Sequence, residues 1–163
     1  MIKELFILIR MLFGSKPKDV EDVELFGAWH FPFKGYKYLM WCGRIIFRLE
    51  TLEQREREWK TESFRISKNH ELIHLAQAKA CGSWVKYYWR YFVEWFKGNP
   101  IINPASGAYY TIPFEVEAYA NQENMDYWKN YTGNNLEKYT LKNRKKLYRE
   151  IGRENWLNYI KGL

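Results

Sequence analysis

Residues 70–74 read His-Glu-Leu-Ile-His. Histidines four residues apart project from one face of a helix, so both imidazoles can reach a single metal ion. A Glu directly after the first His can then reach a water in the remaining coordination position. The chain has 3 histidines, and two of them fall in this pattern. Leu72, Ile73, Leu75 and Ala76 surround the motif with apolar side chains. Such a helix is interior, where two imidazoles and a carboxylate would be costly to bury without a metal or other partners. The residues therefore point to one Zn2+ bound by His70 and His74, with Glu71 as the catalytic base.

A hydrolytic zinc takes three protein ligands, and no histidine follows residue 74, so a carboxylate must complete the set. Pro113 suits the first turn of a helix that continues Phe114-Glu-Val-Glu-Ala-Tyr119. Glu115 shares a face with Ala118, whose small side chain lets two helices approach closely; Glu117 with Ala120 and Asn121 repeats the arrangement two residues later. Glu115 is the first choice as third ligand and Glu117 the alternative. Gln77, three residues after His74, either hydrogen-bonds into the site or lies on the helix surface. Attack of water on an amide carbonyl also needs a donor to the developing oxyanion. His30, Tyr109, Tyr110 and Tyr119 are the candidates.

The pairing of HExxH with a later Glu-x-x-Ala helix resembles the gluzincin metallopeptidases, in which that glutamate is the third ligand. More closely, Lys34-Gly-Tyr-Lys37, Gly43-Arg-Ile-Ile-Phe-Arg48, Asn69-His-Glu-Leu-Ile-His-Leu-Ala-Gln77 and Ile112-Pro-Phe-Glu-Val-Glu-Ala-Tyr119 resemble a family of small bacterial proteins common in Bacteroidetes. The likeness spans roughly residues 25–130 and implies a minimal zincin-like core with metallopeptidase or related amide hydrolase chemistry. Gluzincins commonly carry an Asp four residues after the ligand to orient a histidine. Here that position is Tyr119, or Asn121 in the other register.

The elements that must position these residues can be read from periodicity. The expected fold class is α+β and mostly helical, with a small N-terminal sheet or hairpin followed by a zincin-like helical core in a single domain over 1–163. Residues 1–14 read as an apolar N-terminal helix, 25–130 as the core and 136–161 as basic C-terminal helices. Within the core, 38–49 is rich in β-branched and aromatic residues and reads as a strand broken at Gly43. The mixed charges at 53–60 read as a solvated segment. A helix follows from Asn69 to Ala80 with Gly82 as its cap, then an aromatic helix over 84–97, a loop over 101–113 and a third helix over 114–128. One or two basic helices, at roughly 136–150 and 153–161, close the chain.

At 163 residues the chain is one domain long, and its 47% apolar composition excludes disorder. The net charge is +7, of which residues 137–161, with eight basic and three acidic groups, carry +5. No nucleic-acid motif accompanies this basic tail, so a nucleic-acid partner is not expected. Cys42 and Cys81 match no zinc or redox spacing and read as free thiols in a reducing, cytoplasmic setting. No run is long enough to span a membrane, and Arg10 interrupts the apolar start, so no signal peptide is assigned. Two segments can still touch a membrane surface or a partner: residues 1–13, and 84–97, where Lys86, Arg90, Glu94 and Lys97 form one narrow polar stripe on an otherwise aromatic and aliphatic helix. Two readings thus stand side by side. One is a zinc hydrolase acting on a peptide or protein; the other is a non-catalytic, zinc-stabilised module that binds a partner or a membrane surface through its aromatic helix.

Overall fold

The helix that carries the two histidines begins at Thr61, whose hydroxyl accepts the Phe64 N–H in an N-cap. Glu62 in the first turn pairs with Arg65 one turn on, so the helix starts seven residues earlier than the apolar period indicates. The structure is a computed structural model describing residues 17, 19–20, 23–29, 36–49, 51, 57, 60–98 and 105–163. The expected helix at 1–14, His30 and most of the charged run at 53–60 lie outside the described residues.

The fold is α+β and mostly helical, with a three-stranded sheet preceding the helices. Strand β1 (Glu24–Trp29) runs parallel to β3 (Arg44–Leu49), and β2 (Tyr38–Trp41) pairs antiparallel on the other side of β3. The single strand expected over 38–49 is thus a hairpin. Cys42 and Gly43 form its two-residue turn, with φ of 49° and 87°. Both central residues of the tightest hairpin turns take positive φ, which Gly43 adopts freely and Cys42 adopts under constraint.

Helix α1 (Glu62–Cys81) ends at Gly82, which takes the left-handed conformation and returns its N–H to the Lys79 carbonyl. Every residue from Asn69 to Ala78 is buried. A helix buried on all sides is a core element rather than an amphipathic surface one, and α1 is covered by β2, by α2 (Trp84–Lys97), by α4 (Pro113–Asn121) and by a 3-10 turn at Tyr127–Asn130. Met40, Ile45, Leu72, Leu75, Trp84 and Phe114 fill the space between sheet and helices. Ser83 caps α2 by accepting the Lys86 N–H.

Two expectations after α2 are corrected. The segment read as a loop contains a short helix, α3 (Ala105–Tyr110), and the third helix stops at Asn121 rather than 128. The second difference has a visible cause: the Asn69 amide donates to the backbone carbonyls of Gln122 and Asn124, at 2.7 and 3.0 Å. These carbonyls are thereby satisfied off the helix axis and the chain turns away.

The basic C-terminal region forms a single turn, α5 (Leu136–Tyr139), and a long helix, α6 (Arg144–Lys161), kinked at Gly152. Trp156 and Ile160 pack with Tyr110, Val116 and Tyr139 in a second core. The Trp156 indole donates to the Tyr110 carbonyl at 2.9 Å, and the Arg153 guanidinium lies 4.7 Å from the Tyr110 ring centre. The tail is therefore integral to the fold and braces the α3–α4 corner behind the site.

Candidate metal centre

Because α1 passes through the core and α4 crosses it, His70, His74 and Glu115 meet inside the molecule, at 6%, 5% and 2% exposure. The two imidazole Nε2 atoms are 3.1 Å apart. His74 Nε2 lies 3.3 Å from Glu115 Oε1, and His70 Nε2 lies 3.3 Å from Glu115 Oε2. Ligands about 2.0–2.2 Å from a tetrahedral ion are separated by about 3.3–3.6 Å, so the three groups already stand near the spacing of three tetrahedral corners. Among the described residues they form a group able to hold a metal ion.

The hydrogen bonds behind the rings decide what these atoms present to one another. The Gln77 amide nitrogen donates to the Phe114 carbonyl at 3.0 Å and to Glu117 Oε2 at 2.8 Å. Its oxygen therefore faces His74 Nδ1, 2.8 Å away, and only an Nδ1–H can fill that contact. In a neutral His74 this leaves Nε2 as a bare lone pair. His70 repeats the arrangement, with Nδ1 3.3 Å from Gln122 Oε1. Glu115 Oε1 accepts the Tyr91 hydroxyl at 2.7 Å, while Oε2 is buried and receives no hydrogen bond. Two ring nitrogens and a buried carboxylate oxygen without a hydrogen bond thus converge on one point, an arrangement that could hold a cation.

Without a metal, a proton must relieve this convergence. Burial alone would lower the pKa of His74, but the Glu115 carboxylate outweighs it and pushes His74 up to about 9. Burial would raise Glu115, yet the neighbouring His74 charge holds it well below the usual carboxylate range. A metal must displace the His74 proton. Metal uptake at neutral pH is expected to release close to one proton per chain, measurable by calorimetry in buffers of different ionisation enthalpy; zero release would contradict the arrangement. His74 is raised in the folded, metal-free state. Its contribution to stability is therefore complete below about 6.5 and lost as pH rises through about 9.

Glu71 is 6% exposed and lies beside this group. Burial raises its pKa; the two histidines and a hydrogen bond from the Met40 backbone N–H oppose the rise. Glu117 is placed elsewhere. It is fully buried and accepts from Gln77, from the Tyr127 hydroxyl at 2.8 Å and from the Tyr131 hydroxyl at 3.0 Å, so it anchors the amide that orients His74 and does not join the ligand group. The Tyr119 ring packs edge-on against His70 with centres 4.5 Å apart. Tyr109 and Tyr110 pack against Tyr119, and burial keeps Tyr109 and Tyr119 protonated. Sequence reasoning missed Tyr91 and Gln122. Gln122 lies three residues beyond Tyr119 and was open to the same face-matching that singled out Gln77; the Tyr91 contact carried no sequence signal.

No family model, curated protein or solved structure matches this chain. The gluzincin likeness accordingly rests on the sequence motifs alone.

Proposed function

We propose that the protein is a zinc-dependent hydrolase of peptide or related amide bonds, with His70, His74 and Glu115 as ligands and Glu71 as general base. The observation that carries the reading is the convergence of two imidazole lone pairs and an unsatisfied carboxylate oxygen on one buried point. The near-tetrahedral spacing and the nitrogen–oxygen donor set favour zinc. Iron(II) also uses two histidines and a carboxylate, and elemental analysis of the purified protein distinguishes the two.

Zinc, when bound, supplies Lewis acidity, polarising a carbonyl and acidifying a water. Glu71, outside the ligand set, accepts the proton of the attacking water and returns it to the leaving amine. Gln77 and Gln122 hold the imidazoles in the ligating tautomer, and Tyr91 fixes the Glu115 carboxylate. Tyr109 and Tyr119, both protonated, are the candidate donors to the oxyanion.

One observation favours a second reading. All three ligand side chains are nearly inaccessible, as in a structural clip joining α1 to α4. Glu71→Gln separates the two. Its amide oxygen still accepts the Met40 N–H, so the variant is expected to fold and to keep full metal while losing hydrolysis of a peptide library by about a hundredfold or more. In the cobalt-substituted protein, added acetohydroxamate is expected to shift the visible spectrum by entering an open coordination position. Equal inactivity of wild type and variant, with a spectrum indifferent to hydroxamate, would assign the metal to the structural role.

A further inference from the structure

We propose that the outer face of α2 docks onto an anionic phospholipid surface. Val85, Trp89, Phe92 and Phe96 recur at four-, three- and four-residue steps and project from one side of the helix. They are 38%, 66%, 48% and 55% exposed. The core is filled from a different side by Trp84 and Tyr87, so the fold does not need these rings. They form a continuous band, with Trp89 and Phe92 centres 6.5 Å apart and Phe92 and Phe96 centres 5.5 Å apart. A contiguous aromatic band on a protein surface marks a binding face.

Charge identifies the occupant. Lys86 and Lys97 run along the same helix beside the band, while Arg90 turns to the Phe114 ring and the Cys81 sulfur. The acid of that helix, Glu94, is engaged by Lys97 and by Arg144 of α6. At the Lys97 end, Lys142 and Lys145 line the adjoining groove, whose floor holds the largely buried Glu94–Arg144 pair. Large rings flanked by cations are the chemistry of the boundary between water and an anionic bilayer, where the rings enter the acyl edge and the cations meet phosphates. No described helix is long and apolar enough to cross a membrane, so the contact is with the surface. The opposite side of α2 supplies Tyr91 to Glu115, which sets the metal centre about one helix diameter, roughly 10 Å, from the lipid. That placement suits chain segments emerging from a bilayer, a corollary that rests on the hydrolase reading; the docking does not.

The test is co-sedimentation of the full chain with large unilamellar vesicles of phosphatidylcholine alone or mixed with phosphatidylglycerol, at low and high salt. Sedimentation velocity without vesicles runs in parallel. The expected result is binding to the mixed vesicles that high salt weakens. It should fall by more than about tenfold in the Trp89→Ala/Phe92→Ala/Phe96→Ala variant and in Lys86→Glu/Lys97→Glu, with circular dichroism unchanged. Undiminished binding by the triple variant would move the contact to another part of the chain and overturn the proposal. So would failure of the wild type to bind either vesicle, or a dimer that only the triple variant dissolves, which would give the face to a second copy.

Discussion

Replacing Glu115 by Gln is expected to lower zinc affinity by more than about a hundredfold, beyond the range that loss of an outer-sphere partner alone costs. The amide removes the negative charge facing both ring nitrogens and turns either a weaker oxygen or an NH2 group toward them. His70→Ala and His74→Ala should have the same effect, because each removes one of three donors. The measurement is zinc content by elemental analysis, followed by competition against a chromophoric chelator. Stoichiometric, tightly held zinc in Glu115→Gln would sink the assignment. Chelation of the wild type should also lower its melting temperature, since metal at a hundred times its dissociation constant contributes about 2.7 kcal/mol to the folded state.

The second large effect is expected at a residue that touches no ligand position. Glu117→Ala leaves the Tyr127 and Tyr131 hydroxyls and one donor of the Gln77 amide facing a buried void. The expected loss of stability is about 2–4 kcal/mol, from hydroxyl and amide donors left without their acceptor. Unfolding should be followed by urea with metal chelated, so that the structural term is read alone. The same change frees Gln77 to rotate, and the oxygen that fixes the His74 tautomer is no longer held in place. Zinc affinity should therefore drop by about ten- to a hundredfold in whatever fraction folds. A destabilised variant with unchanged affinity would show that Gln77 is held by the Phe114 carbonyl alone.

The pairing of the two histidines was accessible to sequence reasoning because it depends on local geometry. His70 and His74 share a face by helical repeat, whereas the sequence favours Glu115 over Glu117 only by its spacing to Ala118, and the structure groups it with the histidines. The small sheet and the helical order followed from period and composition in the same way. What was hidden depended on side chains far apart in the chain. Tyr91 reaches Glu115 across 24 residues and Asn69 reaches Gln122 across 53, and neither contact leaves a local pattern. The end of α4 was misplaced for this reason, because residues 122–128 are compatible with helix until the Asn69 amide captures two of their carbonyls. The start of α1 was misplaced because Thr61 sits against a charged run that obscures its capping role. Residues 1–14 and His30 lie outside the described structure, and their expectations stand as made.

The hydrogen bond from Met40 to Glu71 acts together with a second one nearby. The Tyr88 hydroxyl donates to the Met40 carbonyl at 2.8 Å and accepts the Cys42 N–H at 3.3 Å. β2 is an outer strand of the sheet, and over Met40–Cys42 its outward backbone groups are thus taken by a phenol and a carboxylate. A fourth strand, whether from another copy of the chain or from an extended peptide, cannot extend the ladder there without breaking these bonds. This edge of the sheet is blocked over Met40–Cys42, in part by Glu71, so loss of that side chain would free the Met40 N–H for pairing with another strand.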